Sequence, residues 1–150
     1  MKRLLVALAL AATLSPVALA EERATTREAD AMLKSAAALL AKDGPEKALA
    51  AFNDPRGQFV FRDLYISAYD LKGNCLADGA FRARVGKPAI EEKDPEGKPF
   101  VQEQVEMAKD QGHGWTQYRA TNPVTHAVEE RMAAMKRVGD LVLVCGAFKK

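Results

Sequence analysis

The chain has 150 residues, with 22 Lys+Arg against 20 Asp+Glu, two cysteines and two histidines. That length suits one domain with one sizeable core, and the interspersed, nearly balanced charge excludes the one-sided basic surplus that a nucleic-acid partner would require. Neither His113 nor His126 stands at a ligand spacing from a second His or Cys, so no metal and no cofactor is expected.

Lys2 and Arg3 lead into an apolar run from Leu4 to Leu14, and Ala18-Leu19-Ala20 puts small residues before Glu21-Glu22. This is the pattern of a secretory signal peptide over residues 1–20, whose cleavage leaves a single domain over residues 21–150 in the periplasm or outside the cell. Pro16 and the shortness of the apolar stretch argue against an uncleaved anchor, and no membrane span is expected after cleavage. Losing Lys2 and Arg3 leaves acidic and basic residues equal in number.

Ala24 to Lys42 is rich in strong helix formers, and Ala29, Met32, Leu33, Ala36, Leu39 and Leu40 recur at helical spacing, which predicts a long helix with one apolar stripe. Asp43-Gly44 ends it, and Pro45 opens a short second helix that runs to Phe52 before Asn53-Asp54-Pro55. Leu64 to Asp70 reads as a strand buried on both sides, with Tyr65, Ser67 and Tyr69 on one face and Leu64, Ile66 and Ala68 on the other. Leu71-Lys72-Gly73-Asn74 is a turn, and Cys75 to Asp78 is the return strand of a hairpin. Between Gly79 and Pro99 no period persists, which predicts a long loop that is either functional or mobile. Pro99 to Gln111 reads as a helix with Phe100, Gln104, Val105 and Ala108 near one face.

The last third reads as strand, turn, strand, turn, strand. Gly114 to Tyr118 leads through Asn122-Pro123-Val124-Thr125 to a segment around Glu129 to Arg137, and Val138-Gly139-Asp140 turns into the apolar strand Leu141 to Phe148. Glu129 to Arg137 has helical composition, but the final strand needs an antiparallel partner, which assigns it to a strand. The whole order is that of an α+β domain with a mainly antiparallel sheet.

Cys75 and Cys145 reach an oxidising compartment in this reading, so a disulfide between them is the default. Closing a loop of about 70 residues would contribute about 4 kcal/mol in the chain-entropy model. The alternative is that the two cysteines lie on strands flanking a common third strand, about 9.6 Å apart and too far to bridge.

Catalytic chemistry finds no foothold. Gly-x-Ser-x-Gly and a Gly-rich phosphate loop are absent, Ser35 and Ser67 are the only serines beyond the leader, and Glu91-Glu92 and Glu129-Glu130 read as solvated surface. The basic cluster Arg82, Arg84 and Lys87 also reads as solvated surface. No enzyme is expected. What remains is Trp115 and Tyr118, aromatic walls with one polar handle each, and Arg131, a planar fork suited to a carboxylate.

Asp70-Leu71-Lys72-Gly73-Asn74, Gly97-Lys98-Pro99-Phe100-Val101, Trp115-x-x-Tyr118, Asn122-Pro123-Val124-Thr125 and Val138-Gly139-Asp140 follow one another in an order that resembles the type 2 single Cache domain, an extracytoplasmic PAS-like sensor module, over about residues 26–149. The resemblance implies a five-stranded antiparallel sheet with a long N-terminal helix on one face and, on the other, a small-ligand pocket roofed by the central loop and helix. It further implies recognition of a small metabolite of the organic-acid class. The family's basic residue matches Arg131, the Tyr that follows it corresponds to Ala134, the His after the first hairpin to Asp78, and the Asn-Pro after that to Phe81-Arg82. The candidate ligand set is therefore Trp115, Tyr118, Arg131 and Asp78, with Asp78 opposing an anion if it faces the same cavity. The expected function is that of a soluble periplasmic sensor or ligand-presenting component of signal transduction, working with a membrane-bound sensor or transporter partner. The alternative is a ligand-free protein-interaction module whose cavity is filled by Phe81 and Met135.

Overall fold

The computed structural model describes residues 23–149, and the leader expected over residues 1–20 lies outside them. Helix α1 (Thr26–Asp43) starts at a capping box, in which Thr25 Oγ1 accepts from the Glu28 N–H at 3.2 Å and Glu28 Oε2 accepts from the Thr25 N–H at 2.8 Å. It buries Ala29, Leu33, Ala36, Ala37 and Leu40, with Met32 and Leu39 partly covered at the border of the stripe. Gly44, at φ 82°, reverses the chain at a cost that only glycine avoids, and α2 (Pro45–Phe52) follows with Ala48 and Phe52 buried.

The strands are β1 (Val60–Phe61), β2 (Leu64–Asp70), β3 (Cys75–Asp78), β4 (His113–Thr121), β5 (Val128–Val138) and β6 (Leu141–Phe148). They form one antiparallel sheet in the order β1-β2-β6-β5-β4, with β3 pairing β2 beyond the end of β1. The expected five strands are present, and the two-residue β1 is an addition. Val128–Val138 is a strand despite its helix-forming composition. It is paired on both sides, from Thr121↔Val128 to His113↔Lys136 on β4 and from Arg131↔Phe148 to Val138↔Leu141 on β6. Both of its faces are covered in its middle, so ladder bonds and burial override propensity.

Each face of the sheet has its own core. Leu64, Ile66, Ala68, Ala134, Leu143, Cys145 and Ala147 pack under α1 and α2. Tyr69, Ala133, Met135, Val142 and Val144 pack on the other face against Val101, Val105 and Ala108 of α3 (Phe100–Asp110). Residues 79–99 cross this second face, apart from a short 3-10 turn at Arg82–Arg84, as the expected loop. Asp94 fastens that loop at both ends of its carboxylate: Oδ1 accepts from the N–H groups of Glu96 and Lys98 at 2.9 Å, and Oδ2 from the N–H of Arg119 on β4 at 3.0 Å.

The disulfide expected between Cys75 and Cys145 is not formed. Both thiols are free and buried. Cys75 stands opposite Tyr69 and Cys145 opposite Ile66, on the two strands that flank β2, and their side chains enter different cores. Two strand spacings and an intervening sheet lie between them, outside disulfide geometry. Burial above all pushes the Cys75 thiol up to about 11 and the Cys145 thiol up to about 12.

At the start of the described chain, Arg23 grips Glu129 of β5 with both terminal nitrogens at 2.8 Å. Asn122 Nδ2 donates to the same carboxylate at 2.9 Å and to Asp63 at 3.3 Å, and Asp63 Oδ1 accepts from the Ala24 N–H at 2.8 Å. The entry to α1 is thereby tied to the β4–β5 turn.

Two measurements check this account. Denatured, unreduced protein should titrate as two free thiols per chain, with both nearly inert in the native state; a titre of zero would restore the bridge. The Arg23 hydrogen bonds, against a smaller cost of burial and helped by Asn122 and Thr125, hold the Glu129 carboxyl at about 2 instead of 4.5. A depressed folded value contributes stability that is complete above 4.5 and lost as pH falls toward 2. Glu129→Gln should therefore flatten the decline of the thermal midpoint across that window, and parallel curves for the two proteins would refute the linkage.

Candidate functional site

On the α3 side of the sheet, a cavity of about 330 Å³ lies between the strands and the roof made by residues 79–99 and the first turn of α3. Tyr65 of β2, Tyr118 of β4 and Arg131 of β5 form its floor, and Phe81, Glu92 and Phe100 reach it from the roof. Phe100 stacks on Tyr118 with ring centroids 4.4 Å apart and planes 3° from parallel, and Phe81 meets Tyr65 edge-on at 5.8 Å.

Arg131 dominates the floor. It is only 2% exposed, yet no carboxylate lies within ion-pairing distance of it among the described residues. Nη1 donates to the Tyr118 hydroxyl at 3.0 Å, Nε donates to the Gly146 carbonyl at 3.4 Å, and Nη2 has no protein partner. The guanidinium is centred 4.4 Å from the Tyr65 ring and 5.4 Å from that of Phe148, contacts that attract a cation without neutralising it. Burial pushes the Tyr65 phenol far above its ordinary value, so it stays neutral. The site therefore holds a fixed positive charge beside a cavity, on a guanidinium whose Nη2 is unpaired, an arrangement that attracts an anion.

A second arginine is built in the opposite way. Arg84 Nη1 donates to Asp78 at 2.7 Å, Nη2 donates to Glu92 and to the Tyr69 hydroxyl at 2.8 Å each, and Nε donates to Glu92 at 3.2 Å. It fastens the roof to the sheet. The expectation that Arg84 and Glu92 are solvated surface is corrected here. Both lie in an irregular loop, where sequence spacing does not report neighbours, and the only available signal was the number of charges in a loop that must cover a sheet.

The sequence-derived candidates separate in space. Tyr118 and Arg131 lie opposite each other in the β4–β5 register and both face the cavity. Trp115 does not: it pairs with Ala134, points to the α1 side and is 44% exposed. Ala134 packs under α1, so it cannot hold the place of a ligand-binding Tyr; the cavity-side neighbour of Arg131 along β5 is Ala133. Asp78 is 1% exposed and sits behind Arg84, where it also accepts from Ser67 and from the Ala80 and Phe81 N–H groups, so it does not oppose a ligand directly. Met135 is buried in the α3 core and Phe81 leaves the cavity open. Sequence reasoning missed Tyr65, Phe100 and Gly146. Gly146 carried a readable signal, since a glycine inside a strand marks close approach.

Among the described residues no group of His, Cys, Asp and Glu is placed to hold a metal ion, and no helix is long and apolar enough to cross a membrane.

A family model described as single Cache domain 2 matches residues 14–148. Among solved structures, a methyl-accepting chemotaxis protein from Vibrio parahaemolyticus superposes with a TM-score of 0.71 at 17% identity, covering 82% of this chain and 87% of its own. A Cache chemosensory domain described for its carboxylic acid recognition gives 0.65 at 19% identity, covering 83% and 88%. A periplasmic sensor domain of a chemotaxis protein gives 0.66 at 20% identity, covering 89% and 99%. Comparison with curated proteins returns no significant match.

The packing beneath Arg131 can be checked by one methyl group. A Cβ on Gly146 would stand 2.7 Å from Arg131 Nε and 2.8 Å from the Ala133 Cβ. Gly146→Ala should cost about 1–3 kcal/mol in chemical denaturation; an unchanged midpoint would mean that the guanidinium is not wedged there.

Proposed function

Since this chain belongs to the single Cache domain 2 family, we propose that it is an extracytoplasmic sensor domain that binds a small organic acid, with the carboxylate held by Arg131 and Tyr118. One observation carries the reading: Arg131, only 2% exposed, lines a cavity of about 330 Å³ with no acidic partner, and its buried Nη2 has no hydrogen-bond partner. Leaving a buried charge-bearing donor unpaired is costly, and a carboxylate would supply both the missing hydrogen bond and the missing counter-charge. A fold neighbour described for carboxylic acid recognition supports the same ligand class.

Export through the leader of residues 1–20 would place the domain in the periplasm, the compartment named for another neighbour. There the bound state would be presented to a membrane-bound sensor or transporter partner. The open cavity favours ligand binding over a ligand-free interaction module, because Met135 is engaged elsewhere and Phe81 lines the space without filling it.

Acetate, propionate and benzoate, each titrated in a thermal-shift assay, provide the test. At a hundredfold excess over Kd a bound acid adds about 2.7 kcal/mol, a rise of several degrees. At least one should stabilise the wild type and leave Arg131→Ala unmoved. Equal stabilisation of both proteins would place the site elsewhere.

A further inference from the structure

Tyr65, Ser67 and Tyr69 share one face of β2, and the hydroxyls of the last two are paired: Ser67 Oγ donates to Asp78 at 3.3 Å, and Tyr69 Oη accepts from Arg84 at 2.8 Å. Across the floor, Tyr118 Oη accepts from Arg131 at 3.0 Å. The Tyr65 hydroxyl, by contrast, has no hydrogen-bond partner among the described residues. Nor is it sealed off, since the side-chain polar atoms that are both sealed and unpaired among those residues are Gln104 Oε1 and Arg131 Nη2. An unpaired, unsealed hydroxyl on a residue only 2% exposed opens on the space that the residue lines, which is the cavity. Its ring is held in place, with the Arg131 guanidinium centred 4.4 Å from the ring centre and Phe81 meeting it edge-on at 5.8 Å. Burial keeps the phenol neutral, so its oxygen accepts and its proton donates.

Resting on the reading of Arg131 as a carboxylate anchor, we propose that Tyr65 is a third ligand-contacting residue, that its hydroxyl binds an oxygen on the carbon next to the carboxylate, and that the ligand is a 2-hydroxy or 2-oxo acid. Because the guanidinium lies over the Tyr65 ring, a carboxylate held there brings its neighbouring carbon, and not a remote part of the molecule, to that ring. An acid without the extra oxygen takes water from the hydroxyl and returns no bond, and a site with an unpaired polar group discriminates against such an analogue. A hydroxyl or carbonyl at that carbon restores the bond. Arg84, Glu92, Lys93, Asp94 and Arg119 also line the cavity, but their charges act alike on acids of equal charge and length, so the discrimination falls to the phenol.

Calorimetric titration of propionate, pyruvate and both enantiomers of lactate, acids of one chain length and one charge, into the wild type, Tyr65→Phe and Arg131→Ala decides the matter. Lactate or pyruvate should bind the wild type roughly three- to tenfold more tightly than propionate. A gain for lactate alone assigns a 2-hydroxy acid, and a gain for pyruvate alone a 2-oxo acid. Tyr65→Phe, which removes only the phenol oxygen, should bring the favoured acid down to the affinity of propionate and leave propionate unchanged. It should also leave the thermal midpoint of the ligand-free protein no lower, because the deleted hydroxyl has no protein bond to lose; a clear fall would show that the hydroxyl is engaged by the fold and overturn the proposal. Propionate as tight as the other acids, or a loss on Tyr65→Phe shared equally by propionate, would overturn the Tyr65 assignment while the anchor stands, provided that Arg131→Ala abolishes binding. If none of the acids binds the wild type, the anchor reading and the Tyr65 assignment fall together.

Discussion

A guanidinium removed from water without an anion beside it is an expensive object, and much of the α3 side of this domain is arranged around one. The desolvation cost of such a group is several kcal/mol, and protein alone offsets it only in part. Tyr118 accepts one bond, the Gly146 carbonyl a long one, and the faces of Tyr65 and Phe148 supply the attraction of their π clouds. Arginine tolerates this better than lysine, because its charge is delocalised over a plane that is weakly hydrated and stacks on rings. The neighbours are fixed by the same requirement. Gly146 and Ala133 stay small where the side chain lies across the sheet. A cavity of about 330 Å³ separates the roof from the floor beside it.

The roof solves a different problem. Residues 79–99 form a long connection with little regular structure, and a segment of that kind holds one geometry only if its polar groups are anchored. Two acids and one arginine do this. Asp94 gathers backbone donors from its own loop and from β4, while Arg84 donates directly to Asp78 and Tyr69 on the sheet and to Glu92 within the loop. Polar fastening suits a roof that must leave a void beneath it, since a hydrophobic cover would settle onto the sheet and close the space. On the opposite face, where no void is needed, α1 packs directly through alanines and leucines. One arginine is paired with two acids and fastens the roof, and the other has no acidic partner and lines the cavity. Their partners, not their residue type, assign the roles.

Much of the scaffold could be read from the chain. The apolar stripe of α1, the two-sided alternation of Leu64–Asp70 and the turn dipeptides around β5 lie where local physics places them, and the order of motifs pointed to the family. The site was less legible, for two distinct reasons. One is parity. Trp115 and Tyr118 are three residues apart, so a strand must send them to opposite faces, and the same holds for Arg131 and Ala134. That information was present, and a motif read as one cluster obscured it. The other reason is irregularity. Cys75 and Asp78 face the same side only because a register shift interrupts the β2–β3 ladder, and Arg84 meets Glu92 only through the path of a loop. No periodicity encodes either contact.

The strand that carries Arg131 also ties down the start of the described chain. Glu129 and Arg131 are two residues apart on β5, one clasping Arg23 ahead of α1 and the other lining the cavity. Arg23 also donates to the Lys149 carbonyl at 3.2 Å, which brings both ends of the described chain to that clasp. The one residue between Glu129 and Arg131, Glu130, accepts from the Lys149 N–H through its own carbonyl. On the opposite face, α1 meets the sheet largely through apolar side chains. An ion pair, a backbone hydrogen bond to the last described residue and a cavity-lining arginine thus share the three consecutive residues Glu129 to Arg131.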